Sequence, residues 1–280
     1  VGAVAIRKAG VDKADLSGVG VGLAGQIDTA RGVLLGAPNL SQSTVNLPMA
    51  DLLREKFGVP AKLRNDVQVA ALGEAAFGAG KDSADFLCVF VGTGIGGAIV
   101  RNGELVPGST GSAGEIGHIV IHANGRLCGC GGRGHLEAYA SRTAITKMLL
   151  GELKRGRTSV LADMLDGTTT ADDPGGTAIR SGMLAKAVEA GDELTLDIIH
   201  EAGRYLGYGL ASAINLLNPA RIILGGGVIE SVPMLVRIAD TTARREALVT
   251  PANGVSIVSA GLGDFSGVVG AALLNRPGDG

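Results

Sequence analysis

The sequence predicts an α/β protein built as two lobes. Three observations carry this. Strand-like and helix-like stretches alternate over residues 19–78, the pattern of a layered α/β domain. Glycines gather in clusters, "GTGIGG", "GCGGRG" and "GGG", each a tight backbone feature where a strand or loop turns. The polar stretch "GAGKDSAD" breaks the apolar pattern and places a boundary near residues 79–84. With 46% apolar and 19% charged residues among 280, the chain has the composition of an ordinary globular protein and enough length for a large core.

The elements follow in order. "VGAVAIRKAGVDKADL" reads as the tail of an amphipathic helix. No strand precedes it, so natural sequence is expected upstream. "LSGVGVGLAGQID" is a strand entering a glycine turn, and "GVLLGAPNL" a short strand and loop. "LPMADLLREKFG" has helical spacing between Pro48 and Gly58. "PAKLRND" is a strand, and "VQVAALGEAAFG" a helix that starts behind Asn65 and Asp66. "DFLCVFV" is a buried strand. It runs into "GTGIGG" and then "AIVRNGELV", where Asn102-Gly103 signals a hairpin. "LEAYASRTAITKMLLGEL" reads as one helix and "GTTTADDPGG" as a polar loop. "DELTLDIIHEAGRYLGYGLASAINLLN" is a long helix ending at Pro219. "ARIILGGGV" is a strand entering a glycine loop, "VSIVSAGLGD" the last strand and "FSGVVGAALL" the last helix. The expected division is 1–83, rejoined by 264–280, against 84–263.

A net charge of −2 gives no pointer to nucleic acid or an anionic membrane as partner. No apolar run is long enough to span a bilayer, and the opening does not read as a signal peptide. Three cysteines argue against a disulfide framework and for a reducing, cytoplasmic setting.

Chemistry concentrates in "GEIGHIVIHANGRLCGCGGRGHLEAYAS", Gly114–Ser141, which holds three of the four histidines and two of the three cysteines. Cys128, Cys130, His135 and His118 offer the S and N donors of a closed tetrahedral zinc site, with His122 as a substitute ligand. Unrelated buried cysteines and exposed histidines are the plainer reading. Glu115 and Glu137 bracket the cluster; they are surface charges or, alternatively, acceptors for sugar hydroxyls. The turn with Gly92, Thr93 and Gly94 suits an anion through converging N–H groups, or is simply a tight hairpin. Gly225, Gly226 and Gly227 are a turn before a helix, or bare backbone for a flat ring at a strand end. Asp66 caps a helix or is a general base facing a cleft.

Four pieces in this order resemble the ROK family of repressors and sugar kinases, within the actin-like ATPase superfamily. They are "RNDVQVAALGE", "VGTGIGG", "GEIGH" with "CGCGGRGHLEAYAS", and "NPARIILGGGV". The likeness spans nearly the whole chain and lies nearer the glucokinase-like branch. It implies a two-lobed actin-like (ribonuclease H-like) fold with a zinc segment at 114–137. It also implies phosphorylation of a hexose, foremost glucose, by ATP with Mg²⁺. Asp66 would be the base, and Asn65, Glu115, His118, Glu137 and Asn39 would hold sugar hydroxyls. Gly92, Thr93 and Gly94 would cradle phosphates, with Gly225, Gly226 and Gly227 near the adenosine. His118, Cys128, Cys130 and His135 would bind structural Zn²⁺, so His118 would serve both metal and sugar. A homodimer is also implied. Two departures stand out. His135 replaces the family's third cysteine, and the Asp-x-Gly-Gly-Thr phosphate motif is missing, so an incomplete N-terminal lobe is expected. The alternatives are a sugar-responsive repressor of the same family and an inactive fragment.

Overall fold

The fold was analysed in a computed structural model that describes residues 2–36, 45–165 and 179–275. The first helix, α1, spans Gly2–Ala9, and strands β1 (Val19–Leu23), β2 (Gln26–Asp28) and β3 (Val33–Gly36) follow. Next come α2 (Met49–Phe57), β4 (Ala61–Asn65) and α3 (Asp66–Phe77). β1 pairs in parallel with β4, and β2 pairs antiparallel with β3. Together with α2 these strands enclose a small core of Ile27, Leu34, Ala50, Ala61 and Leu63.

The larger lobe centres on β5 (Phe86–Val91), β6 (Ile95–Arg101) and β7 (Glu104–Leu105). After the cysteine-rich loop come α4 (Glu137–Ala140), α5 (Arg142–Lys154), α6 (Leu161–Leu165), α7 (Ser181–Glu189) and α8 (Glu193–Leu217). The chain then adds β8 (Arg221–Gly225), α9 (Gly227–Ser231), α10 (Met234–Glu246), α11 (Val249–Gly254), β9 (Ser256–Ser259) and α12 (Ser266–Leu273). The five-stranded sheet has the order β7-β6-β5-β8-β9. The β5–β6–β7 part is antiparallel, and β5, β8 and β9 run parallel. Asn102 and Gly103, both at positive φ, make the β6–β7 turn, as the Asn-Gly signal predicts.

Both faces of this sheet are covered. One packs on α8, α10 and their neighbours through Leu87, Val89, Val91, Leu206, Leu210 and Leu224. The other meets α3 through Val67, Ala71, Phe86, Cys88 and Ile223. The far side of α3 rests on α12 and β1. Helix α3 is therefore buried nearly all round, and its small residues Ala70, Ala71 and Gly73 permit this. A Cβ on Gly270 would run into the carbonyl oxygen of Val69, so α12 lies flush on α3.

Two sequence expectations need correction. "LEAYASRTAITKMLLGEL" is two helices, because Ser141 takes an extended conformation and caps α5, its Oγ accepting from Ala144 N at 3.1 Å. A serine between two helical stretches favours that local bond over continuing the helix. The helix behind β4 is capped by Asn65, whose Oδ1 accepts from Val67 N at 2.9 Å and Gln68 N at 3.3 Å. Asp66 is thus the first helical residue and not the cap. The "GTTTADDPGG" loop and Asn39 lie outside the described residues.

Candidate active site and metal centre

The two glycine loops lie side by side at the carboxyl ends of adjacent parallel strands β5 and β8. That is where α/β proteins gather ligands. Gly226 has φ +92°, and a Cβ there would come within 2.7 Å of the Val91 carbonyl oxygen. No other residue type would sit there without strain. The break at Ser141 gives the first loop a floor. Arg142 N donates to Gly92 O at 2.9 Å, and Thr143 Oγ1 donates to Thr93 O at 2.7 Å. Arg142 Nη2 also donates to Thr93 Oγ1 at 2.7 Å.

Helix α3 brings its first turn to the same place. A Cβ on Gly96 would lie 2.6 Å from Val67 Cγ2. Asp66 accepts from Val67 N at 3.0 Å, but burial outweighs this and holds its carboxyl above the usual aspartate range. The "GEIGH" turn lies against β6. Side chains at Gly97, Gly114 or Gly117 would strike the facing backbone, so only glycines let this turn seat Glu115 and His118 beside the cleft. Glu115 is pushed up by burial. His118 nearby lowers it, and the neighbouring charges of Asp66 and Glu137 raise it further. Mutual repulsion of this kind marks carboxylates that share one small space.

Glu137 connects the pieces. Its Oε2 accepts from Ile95 N at 2.9 Å, while Cys128 Sγ lies 3.6 Å from its Oε1. A Cβ on Gly94 would collide with the same carboxylate. One side chain therefore touches the glycine turn, the cleft and the cysteine loop.

Asn65, Glu115, Gly25, Gln26, Ile27, Thr29, Gln68 and the 111–113 loop line the space between the lobes. Gln68 spans it, donating from Nε2 to Gly111 O at 2.9 Å. The remaining void is about 10 Å³, room for roughly one water. Sequence reasoning missed Gln68, Gln26, Thr29, Ser112 and Arg142. For Gln68 a signal existed: an amide between Val67 and Val69 in a mostly apolar helix, three residues after Asn65.

His118, Cys128, Cys130 and His135 bring one donor atom each to within 4.8 Å of one another. Cys130 Sγ is 3.2 Å from His135 Nδ1, and Cys128 Sγ is 3.9 Å from His118 Nδ1. A tetrahedral zinc site of S₂N₂ type has donor separations of about 3.3–3.8 Å, so the set needs only a small contraction. Burial pushes the Cys128 thiol up to about 11, which metal binding would reverse by deprotonating it. His122 lies outside the set; its Nδ1 is 3.1 Å from Ala123 O and its ring stacks on Tyr139.

A two-lobed α/β body with glycine loops meeting carboxylates in the cleft defines a protein of the actin-like ATPase class. The ROK family model matches residues 4–277, and the chain belongs to the ROK family. It is 36% identical over 265 residues to a glucokinase of Halalkalibacterium halodurans, covering 94% of this chain and 77% of that one. It is 32% identical over 262 residues to the DNA-binding transcriptional dual regulator NagC of Escherichia coli, covering 94% of this chain and 61% of that one. A ROK family glucokinase from Streptomyces griseus, in complex with glucose and AMPPNP, superposes with a TM-score of 0.83 at 34% identity. That match covers 98% of this chain and 85% of the other. No described helix is long and apolar enough to cross a membrane.

Proposed function

We propose that the protein is a sugar kinase that transfers the terminal phosphoryl group of ATP to a hexose, with glucose the first candidate. The observation that carries this reading is the convergence of Asp66, Glu115, Glu137 and His118 beside the Gly92–Gly94 turn. The similarity to glucokinases supports the same reading.

Asp66 takes the proton of the attacking hydroxyl, and burial, which raises its pKa, makes it a stronger base than an exposed aspartate. Asn65, Glu115, Glu137 and His118 orient the sugar by accepting or donating to its hydroxyls. The backbone of Gly92, Thr93 and Gly94 cradles phosphate oxygens, and Gly225, Gly226 and Gly227 give the adenosine a flat seat. Mg²⁺ would come with ATP and would supply positive charge to the transferring group. His118, Cys128, Cys130 and His135 would hold Zn²⁺, which would fix the loop that carries the proposed sugar ligands. Lobe closure excludes water, the competing acceptor. On this reading the lobes divide near 79–84 and at 263–264, and the pocket would open by movement across these two crossings.

The test is ADP release with Mg-ATP and a panel of hexoses, with Asp66→Asn alongside. Turnover on glucose that falls by about 10²–10⁴ in kcat, with sugar affinity nearly unchanged, is the expected result. Equal turnover in Asp66→Asn would sink the general-base role. The likeness to NagC favours a second reading, a sugar-responsive regulator. That reading expects hexose binding by calorimetry without turnover, which an inactive fragment would not show.

A further inference from the structure

The carboxylate of Glu74 is fully buried in α3, eight positions along from Asp66. Oε2 accepts from Ala79 N at 2.7 Å and from Gly261 N at 2.8 Å. Oε1 accepts from Leu262 N at 2.9 Å and from Ser266 Oγ at 2.7 Å. Ala79 begins the stretch that runs from α3 into β5 of the large sheet. Gly261 and Leu262 belong to the stretch that leaves β9 of that sheet and returns through α12 to α3 and β1. The chain crosses between the lobes at these two places, and one side chain holds both. The crossings also touch each other, since a Cβ on Gly261 would lie 2.8 Å from Ala79 N. Arg221, at the start of β8, donates to Ala79 O on the other side.

Such a charge does not survive in a core without partners. Burial alone would raise the pKa of Glu74. The Ser266 hydroxyl and the amides of Leu262, Ala79 and Gly261 outweigh it and keep the carboxyl below the usual range.

We propose that Glu74 is a positioning residue that pins both interlobe crossings to α3 and so sets where Asp66 stands relative to the Gly92–Gly94 turn when the cleft is closed. The kinetic part of this rests on the kinase reading; the mechanical part does not. On the kinase reading the cleft opens to admit a sugar and returns to one closed geometry. A misplacement of roughly 1 Å at the reacting atoms can cost about 10² in rate. Because three of the four donors are backbone amides, the pin is tied to the path of the chain and not to any neighbouring side chain except Ser266.

The experiment compares wild type, Glu74→Gln and Ser266→Ala as full-length chains, in three measurements. Hydrogen exchange reads the peptides over 78–85 and 260–266 against those of β5 and β8. Calorimetry gives glucose affinity, and ADP release gives kcat. In Glu74→Gln, two of the four donors face an amide NH₂. Exchange at both crossings should rise together by about tenfold or more while β5 and β8 stay protected. The expected kcat loss is about tenfold with glucose affinity within about threefold. Ser266→Ala should shift both readouts the same way by about two- to fivefold, and it decides the matter if Glu74→Gln does not fold. Faster exchange at 78–85 with 260–266 unchanged overturns the pin. A kcat within about twofold of wild type, or a loss matched by sugar affinity, overturns the positioning role. If wild type turns over no sugar, the kinase reading fails, and the exchange measurement alone decides the pin.

Discussion

The two lobes are built to different standards. The larger has five strands, helices on both faces and a continuous core that runs from Leu87 to Val255. The smaller has two separate strand pairs around a handful of apolar residues, and every residue of β1 is only partly buried. The chemistry divides along the same line. The glycine loops, Glu115, Glu137 and the cysteine-histidine knot all stand on the larger lobe, on backbone that has little freedom. Asp66 and Asn65 stand on α3, packed between the lobes. A rigid platform of glycine turns facing a buried carboxylate on a helix packed between the lobes is the arrangement the kinase reading asks for.

The contrast can be broken most severely at the metal knot. Stripping zinc with a chelator should unfold the 114–137 segment and lower the melting temperature sharply, because a closed structural site contributes to folding directly. Metal analysis of chelator-free protein should give about one equivalent. Less than about half an equivalent would refute the site.

Paired core truncations sharpen the comparison next. Leu224→Ala in β8 and Leu63→Ala in β4 remove equally buried side chains. Each should cost about 2–5 kcal/mol, measured by denaturant unfolding. The β8 change should lower the main transition. The β4 change should appear as an earlier, separate loss of the small lobe, seen by hydrogen exchange. Identical single transitions for both would show that the lobes unfold as one unit.

The smallest effect is one of pH. A raised carboxyl keeps its proton to higher pH, so the base form of Asp66 is lost as pH falls through its folded pKa. The acid limb of kcat should therefore lie above the ordinary aspartate value of about 3.9. Glu74 acts in the opposite sense on stability. Its lowered pKa stabilises the fold above the unfolded glutamate value of about 4.3, and that support is lost as pH falls through the folded pKa. An acid limb unchanged in Glu115→Gln would assign it to Asp66 and not to the neighbouring carboxylate.

Much of the larger lobe was legible in the sequence. "DFLCVFV", "RIILGGGV" and the Asn102-Gly103 turn carry local signals that the fold obeys. The knot was legible because histidine and cysteine are rare elsewhere in the chain. Helix α10 went unread, although Leu235, Ala239, Thr242 and Ala243 mark a buried stripe at helical spacing. The break at Ser141 was hidden because alanine, tyrosine and leucine on either side all favour or tolerate a helix. Glu74 was out of reach altogether. A glutamate on a helix reads as a solvated charge, and three of its four donors lie nearly 190 residues further along the chain.

The residues proposed to stand around the sugar are of two kinds, and this sets how the protein can be changed. Glu137 is tied to Ile95 N and to Cys128, and His118 to the cysteine-histidine set. Altering either would disturb the Gly92–Gly94 turn or the cysteine-histidine cluster along with any sugar contact. Gln26, Thr29 and Ser112 line the void beside Asn65 and Glu115 and carry no such ties among the described contacts. On the kinase reading, a change of sugar preference has its free path through those three positions. The catalytic floor beneath them can stay as it is.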